Sequence, residues 1–219
     1  MNDIVGGTAA PRRRRKEARP QELTAAALAL FVEKGFAATR LDEVAARAGV
    51  SKGTLYLYFD SKEALFKAVI REGVVPAIAE GEALLEEHDD PVVLLRAILF
   101  GWWERIGNTE LGGVVKLMMS EARNFPEVAA YYHDAVIQRG LALIRAAVVR
   151  GISRGVFRPV DLDSIGTLLI APLLHLALWR NSFGACCCPV TRIDRYLESY
   201  FDLIVNGLGV VGHGSGDLS

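Results

Sequence analysis

The chain has 219 residues, 51% of them apolar, and its 25 basic side chains nearly balance 26 acidic ones. That composition excludes a disordered polymer and suits one ordinary domain plus a smaller one. The overall balance hides an asymmetry: the first 62 residues carry an excess of Lys and Arg, much of it in Arg12, Arg13, Arg14, Arg15 and Lys16, and the rest is mildly acidic. Such asymmetry points to a polyanion partner for one end, or to a merely solvated basic tail.

Residues 1–17 are small, polar or basic without a period and read as a disordered basic arm. Helical patterning then runs almost to the end, and no stretch alternates as a strand would. The spacing predicts a first helix from about Pro20 to Lys34, with Leu23, Ala27, Leu30 and Phe31 on one face and Gly35 as its stop. A second follows Thr39, where Thr39 and Asp42 resemble a capping box, and Gly49 ends it. Ser51 caps a third, which need reach only Tyr58, and Asp60 or Ser61 caps a fourth, which Pro76 kinks or ends. Longer helices are expected from Asp90-Pro91 to Gly107, Thr109 to Arg123, Pro126 to Arg154, Asp161 to Phe183 and Thr191 to Leu208. A glycine-rich flexible tail, 209–219, follows. The fold class is therefore all-α, with about nine helices.

Several function classes find no support. Cys186, Cys187 and Cys188 are adjacent, so their side chains point apart and suit neither a tetrahedral zinc site nor a disulfide framework. No phosphate-cradling glycine loop, metal-spaced His/Cys/Asp set or HExxH pattern occurs, so neither an enzyme nor a cofactor is indicated. The longest apolar segment, Ile165 to Trp179, contains Pro172 and His175 and is short for a membrane span. No secretory signal is evident, and the location expected is the cytoplasm.

The most informative stretch is FAATRLDEVAARAGVSKGTLYLYFDSKEALF, residues 36–66. A short helix, a turn pivoting on Gly49 and a second short helix make a helix-turn-helix, whose second helix enters the major groove of DNA. Leu55 and Phe59 lie four apart and pack inward, with Val50 closing the corner. Lys52 and Tyr56 share another face, flanked by Thr54 and Tyr58. Gly53 lets the backbone approach a phosphate, and Lys62 opens the next helix within reach of one. These residues, with FVEKGFAATR before them and DSKEALF after, resemble the DNA-binding head of the TetR/AcrR family of bacterial regulators over about residues 18–70.

The resemblance implies a three-helix head (18–65) and a C-terminal ligand-binding and dimerisation body (66–208). It implies a homodimer formed through the last two long helices, and release from operator DNA when a small molecule enters the body. By position it implies DNA contacts from Thr39, Arg40, Ser51, Lys52, Gly53, Thr54, Tyr56, Tyr58 and Lys62, with Tyr56 and Lys62 at the family's recognition tyrosine and phosphate lysine. The basic arm then either reaches the minor groove or stays in solvent.

In the body, Trp102, Trp103, Met118, Met119, Phe125, Tyr131, Tyr132, His133, His175 and Trp179 are candidates for an effector pocket, because aromatic and methionine side chains suit an adaptable apolar cavity. His175, inside an apolar helix, reads as a hydrogen-bonded interior histidine. Residues 161–181 are apolar on more faces than a monomer covers, which points to an interface. The partners expected are double-stranded DNA, a small-molecule effector and a second copy of the chain. A regulator without a small-molecule ligand and an enzyme are the competing readings.

Overall fold

A computed structural model describes residues 14–184 and 192–210, so the cysteine triplet, Arg12, Arg13 and most of the tail lie outside the described residues. Among the described residues there are nine helical rods and no strand, apart from an isolated bridge between Phe157 and Gly209. They are α1 (Arg14–Lys34), α2 (Leu41–Arg47), α3 (Lys52–Tyr56), α4 (Lys62–Val69, continued through Ile70–Val74 into Val75–Glu87) and α5 (Pro91–Trp102, continued by Trp103–Gly107). There follow α6 (Gly112–Glu121), α7 (Pro126–Tyr132, His133–Ile137 and Gln138–Ser153 in one run), α8 (Ile165–Ser182) and α9 (Ile193–Leu208).

Four boundaries depart from expectation. α1 begins at Arg14, so the last part of the basic run is helical and Pro20 sits in the second turn, where proline forgoes one helical hydrogen bond near the helix start. α2 is capped not by Thr39 but by Arg40, whose N–H donates to the Glu43 carboxylate at 3.2 Å. Pro76 does not break α4. Residues 70–74 wind as a π-helix, with the Val75 N–H bonded to the Ile70 carbonyl, and this wider turn absorbs the bond that proline cannot make. α8 starts at Ile165, after a turn in which Asp161 accepts from the Asp163 N–H at 3.1 Å.

The inward faces follow the predicted spacing. Leu23, Ala27, Leu30, Phe31, Val44, Leu55, Phe59, Leu65 and Phe66 are all buried and close the head around α1–α4. The same cluster continues into the body, because α1 packs on α6 and the first part of α4 on α7. Gly113 permits this: a Cβ there would stand 2.4 Å from Val32 Cγ2. A second cluster gathers Leu94, Trp103, Ile144, Leu173, Phe201 and Ile204 from α5, α7, α8 and α9. α9 is bound to α8 by the Tyr196 hydroxyl, which donates to the Pro172 carbonyl at 3.3 Å, and by a Tyr200 hydroxyl bond to Leu169 O.

Four aromatic rings join head to body. Phe31, Phe36 and Phe66 lie 5.2–5.3 Å apart, and Phe125 of the segment before α7 meets Phe36 edge-on at 4.4 Å. Truncating the centre of this cluster should be costly: Phe66→Ala is expected to lower the unfolding free energy by about 3–5 kcal/mol, read from the urea midpoint.

Candidate nucleic-acid interface and effector cavity

The corner between α2 and α3 is made by Gly49, whose φ of +67° closes the turn, and by the Val50 N–H donating to Ala45 O at 2.9 Å. Ser51 then caps α3: its Oγ accepts from the Thr54 N–H at 3.1 Å and lies 2.8 Å from the Thr54 hydroxyl. Leu55 is fully buried and Phe59 nearly so, which fixes which side of α3 faces out. Ser51, Lys52, Gly53 and Tyr56 are exposed, and Thr54 and Tyr58 are half-buried at the margin. Leu57, not singled out from the sequence, is 82% exposed beside Tyr56. Its signal was available, since helical spacing places 57 away from the 55/59 face.

Two of the family-inferred contacts face inward instead. Thr39 is 2% exposed, and its hydroxyl donates towards Gly35 O (2.7 Å) and Leu30 O (3.2 Å) at the end of α1. Lys62 Nζ donates to the carbonyls of Phe36 (2.7 Å), Ala37 (3.0 Å) and Thr39 (3.1 Å), and sits 4.7 Å from the Phe36 ring centroid. An ammonium has three donors and all are used. In this structure, then, Lys62 is a staple on the α1–α2 turn.

The remaining head cations differ in availability. Arg40 is exposed and forks onto Asp42 at 3.1–3.2 Å, a hydrogen bond that holds the Asp42 carboxyl below its usual pKa. Lys34 pairs with Glu43 and Arg47 with Glu33. Lys52 makes no ion pair among the described residues and stands 5.9 Å from the Tyr56 ring. Exposed pairs such as Arg40–Asp42 are weak and exchange readily for another anion.

In the body, an apolar cavity of about 100 Å³ lies between α4, α5, α7 and α8. Gly81, Gly101 and Gly140 help keep it open; a Cβ on Gly81 would stand 2.8 Å from Leu143 Cδ2. Of the pocket residues expected from sequence, only Trp102 and Tyr132 line it. Trp103 and Met118 are core residues, with the Trp103 ring closed against Gly107. Phe125 and Tyr131 pack against the head-side core. Met119 is 71% exposed, and His133 is exposed beside Asp134 and Gln138. His175 is exposed on α8 rather than interior, its ring 6.0 Å from Trp179, which in turn packs on Phe183 at 4.9 Å. Arg105, missed from sequence because a charge does not advertise a pocket, lies on the lining and pairs with Glu80. Among the described residues no His/Cys/Asp/Glu group could hold a metal, and no helix is long and apolar enough to cross a membrane.

Residues 23–69 match the family described as bacterial regulatory proteins, tetR family, and residues 87–182 match the tetracyclin repressor-like C-terminal domain. The chain is 34% identical over 108 residues to the transcriptional activator FasR of Mycolicibacterium smegmatis, covering 49% of each chain. It is 47% identical over 182 residues to the uncharacterized regulator YerO of Bacillus subtilis, covering 82% of this chain and 62% of YerO. The matched segments thus span about half of FasR and under two thirds of YerO. The solved TetR family regulator PfmR of Thermus thermophilus superposes with a TM-score of 0.70 at 28% identity, over 86% of this chain and 99% of PfmR.

The Lys62 staple has a direct test. In Lys62→Met the three carbonyls lose their partner, so amide exchange across residues 36–41 should accelerate and the head should lose about 1–3 kcal/mol of stability, with helix content by circular dichroism unchanged.

Proposed function

Because the chain belongs to the TetR family of bacterial regulatory proteins, we propose that it is a homodimeric, effector-responsive regulator. It binds a palindromic operator and leaves it, as a repressor would, when a small apolar or amphipathic molecule occupies the body cavity. The observation that carries this reading is the division of α3: Leu55 and Phe59 hold it to the scaffold while Ser51, Lys52, Gly53 and Tyr56 stand open. Lys52, Ser51, Arg40 and the Gly53 backbone suit phosphate contacts, and Tyr56, Thr54 and Tyr58 suit base edges. Leu57 adds an apolar contact suited to a thymine methyl. Operator binding places the protein in the cytoplasm, and the basic arm before Glu17 adds affinity with little sequence choice.

The dimer is supported by the outer side of α8 and α9. Leu168 is 64% and Leu203 73% exposed, and Ala171 and His175 lie on the same outward face of α8 as Leu168. Packing α8 and α9 against a second copy covers these side chains. Two-fold symmetry then sets the two α3 helices about 34–36 Å apart, over successive major grooves.

Coupling runs through α4. Its first turn carries the Lys62 staple on the head, and its later turns supply Ala77, Ile78, Gly81 and Leu84 to the cavity wall. An effector that prefers one setting of this rod shifts the population of head spacings. A specific observation favours a second reading, regulation without a small molecule: about 100 Å³ is small beside pockets that hold drug-sized ligands. FasR, named an activator, shows that a relative of this chain carries the opposite sign.

Three outcomes are expected. Lys52→Ala should flatten the slope of log affinity against log salt by about one, whereas Lys62→Met should weaken binding with the slope unchanged. Footprinting on the DNA flanking the gene should show two chains on a palindrome; tight binding of a monomer to one half-site contradicts the dimer. Filling the cavity with Gly81→Leu should abolish release by any compound found to displace the wild type, and continued release rules out the cavity as the effector site.

A further inference from the structure

One side chain of the cavity lining carries a polar group with no hydrogen-bond partner among the described residues. Tyr132 is 9% exposed and lines the cavity, and its hydroxyl makes no hydrogen bond among the described residues. No side-chain oxygen or nitrogen among those residues is sealed from open space without a partner. The Tyr132 hydroxyl therefore borders open space, and Tyr132 is one of the residues that line the cavity. Burial pushes the phenol pKa up to about 12, so it is a neutral hydrogen-bond donor throughout the physiological range.

The charged side chain of the lining is already paired: the Arg105 guanidinium donates to the Glu80 carboxylate. Among the described residues, Arg105 and Tyr132 apart, the cavity walls are aliphatic, aromatic or glycine. A carboxylate entering here would have to take Arg105 from Glu80 or lose its hydration unpaired, and an ammonium would find no free carboxylate. A neutral oxygen meets neither penalty and satisfies Tyr132. The volume, about 100 Å³, is below the roughly 150 Å³ of an apolar void that takes up benzene, so the guest is at most a single ring.

Resting on the reading of this cavity as the effector site, we infer that its ligand is an uncharged, ring-sized apolar molecule carrying one hydrogen-bond-accepting oxygen, held by the Tyr132 hydroxyl. The class is tested by titration calorimetry on the full-length protein with four matched probes: cyclohexanone, methylcyclohexane, cyclohexanecarboxylate and cyclohexylammonium. Cyclohexanone should bind at least about tenfold more tightly than either charged probe, and Tyr132→Phe should lower its affinity about tenfold while leaving that of methylcyclohexane unchanged. Glu80→Gln, which releases Arg105, should strengthen the carboxylate alone. A wild-type preference for either ion, or an unchanged ketone-to-hydrocarbon ratio in Tyr132→Phe, overturns the class. Failure of all four probes to bind overturns the class and the cavity reading together. Cyclohexanone binding through Tyr132 without displacement of operator DNA supports the class and refutes only the release mechanism.

Discussion

Lys62 places its ammonium against three backbone carbonyls of the turn that links α1 to α2, directly over the ring of Phe36. These carbonyls lie just beyond the end of α1, where unpaired helix carbonyls and the helix dipole concentrate negative potential. A cation there answers several unmet acceptors at once. It also fixes the plane of Phe36, and Phe36 in turn contacts Phe31, Phe66 and Phe125. One side chain at the start of α4 therefore ties together the entry to α2 and the aromatic seam between head and body. The buried Thr39 hydroxyl reinforces the same turn from the other side.

The rest of α4 extends that constraint into the body. Its π-wound residues 70–74 lie between the head and the cavity wall, and the other two π segments, 103–107 and 133–137, lie on α5 and α7, which also line the cavity. A π turn holds a hydrogen-bond register that can relax to the α register by a one-residue shift, and such turns recur at functional sites. Three of the four rods that wall the cavity thus carry a π turn. The cavity's three glycines keep it open, and its lining carries the Tyr132 phenol and the Arg105 guanidinium.

What the sequence revealed and what it hid follow from one distinction. Helical spacing encodes which side of a helix faces inward, and it correctly separated Leu55 and Phe59 from Lys52 and Tyr56. Caps were legible where a short hydroxyl precedes the helix, as at Ser51 and Ser61, and Gly49 and Gly35 marked their turns by positive φ. Residue type alone encodes no direction. Trp102 and Trp103 are neighbours, yet one borders the cavity and the other fills the core. Met118 is buried and Met119 exposed for the same reason. Lys62 and Thr39 sit at positions that in the resembling family imply DNA contact, but their polar atoms are drawn inward by carbonyls that only the folded turn assembles. The cavity itself depends on missing side chains at Gly81, Gly101 and Gly140, which a search for aromatic residues does not find.

The most direct test of this account is the ¹⁵Nζ lysine spectrum of the protein, recorded free and bound to operator DNA. The account predicts a slowly exchanging Lys62 ammonium, coupled across hydrogen bonds to the carbonyls of residues 36, 37 and 39 and unmoved by DNA, while the Lys52 signal shifts on binding. A Lys62 ammonium that exchanges freely in the absence of DNA and acquires phosphorus coupling in its presence would contradict it.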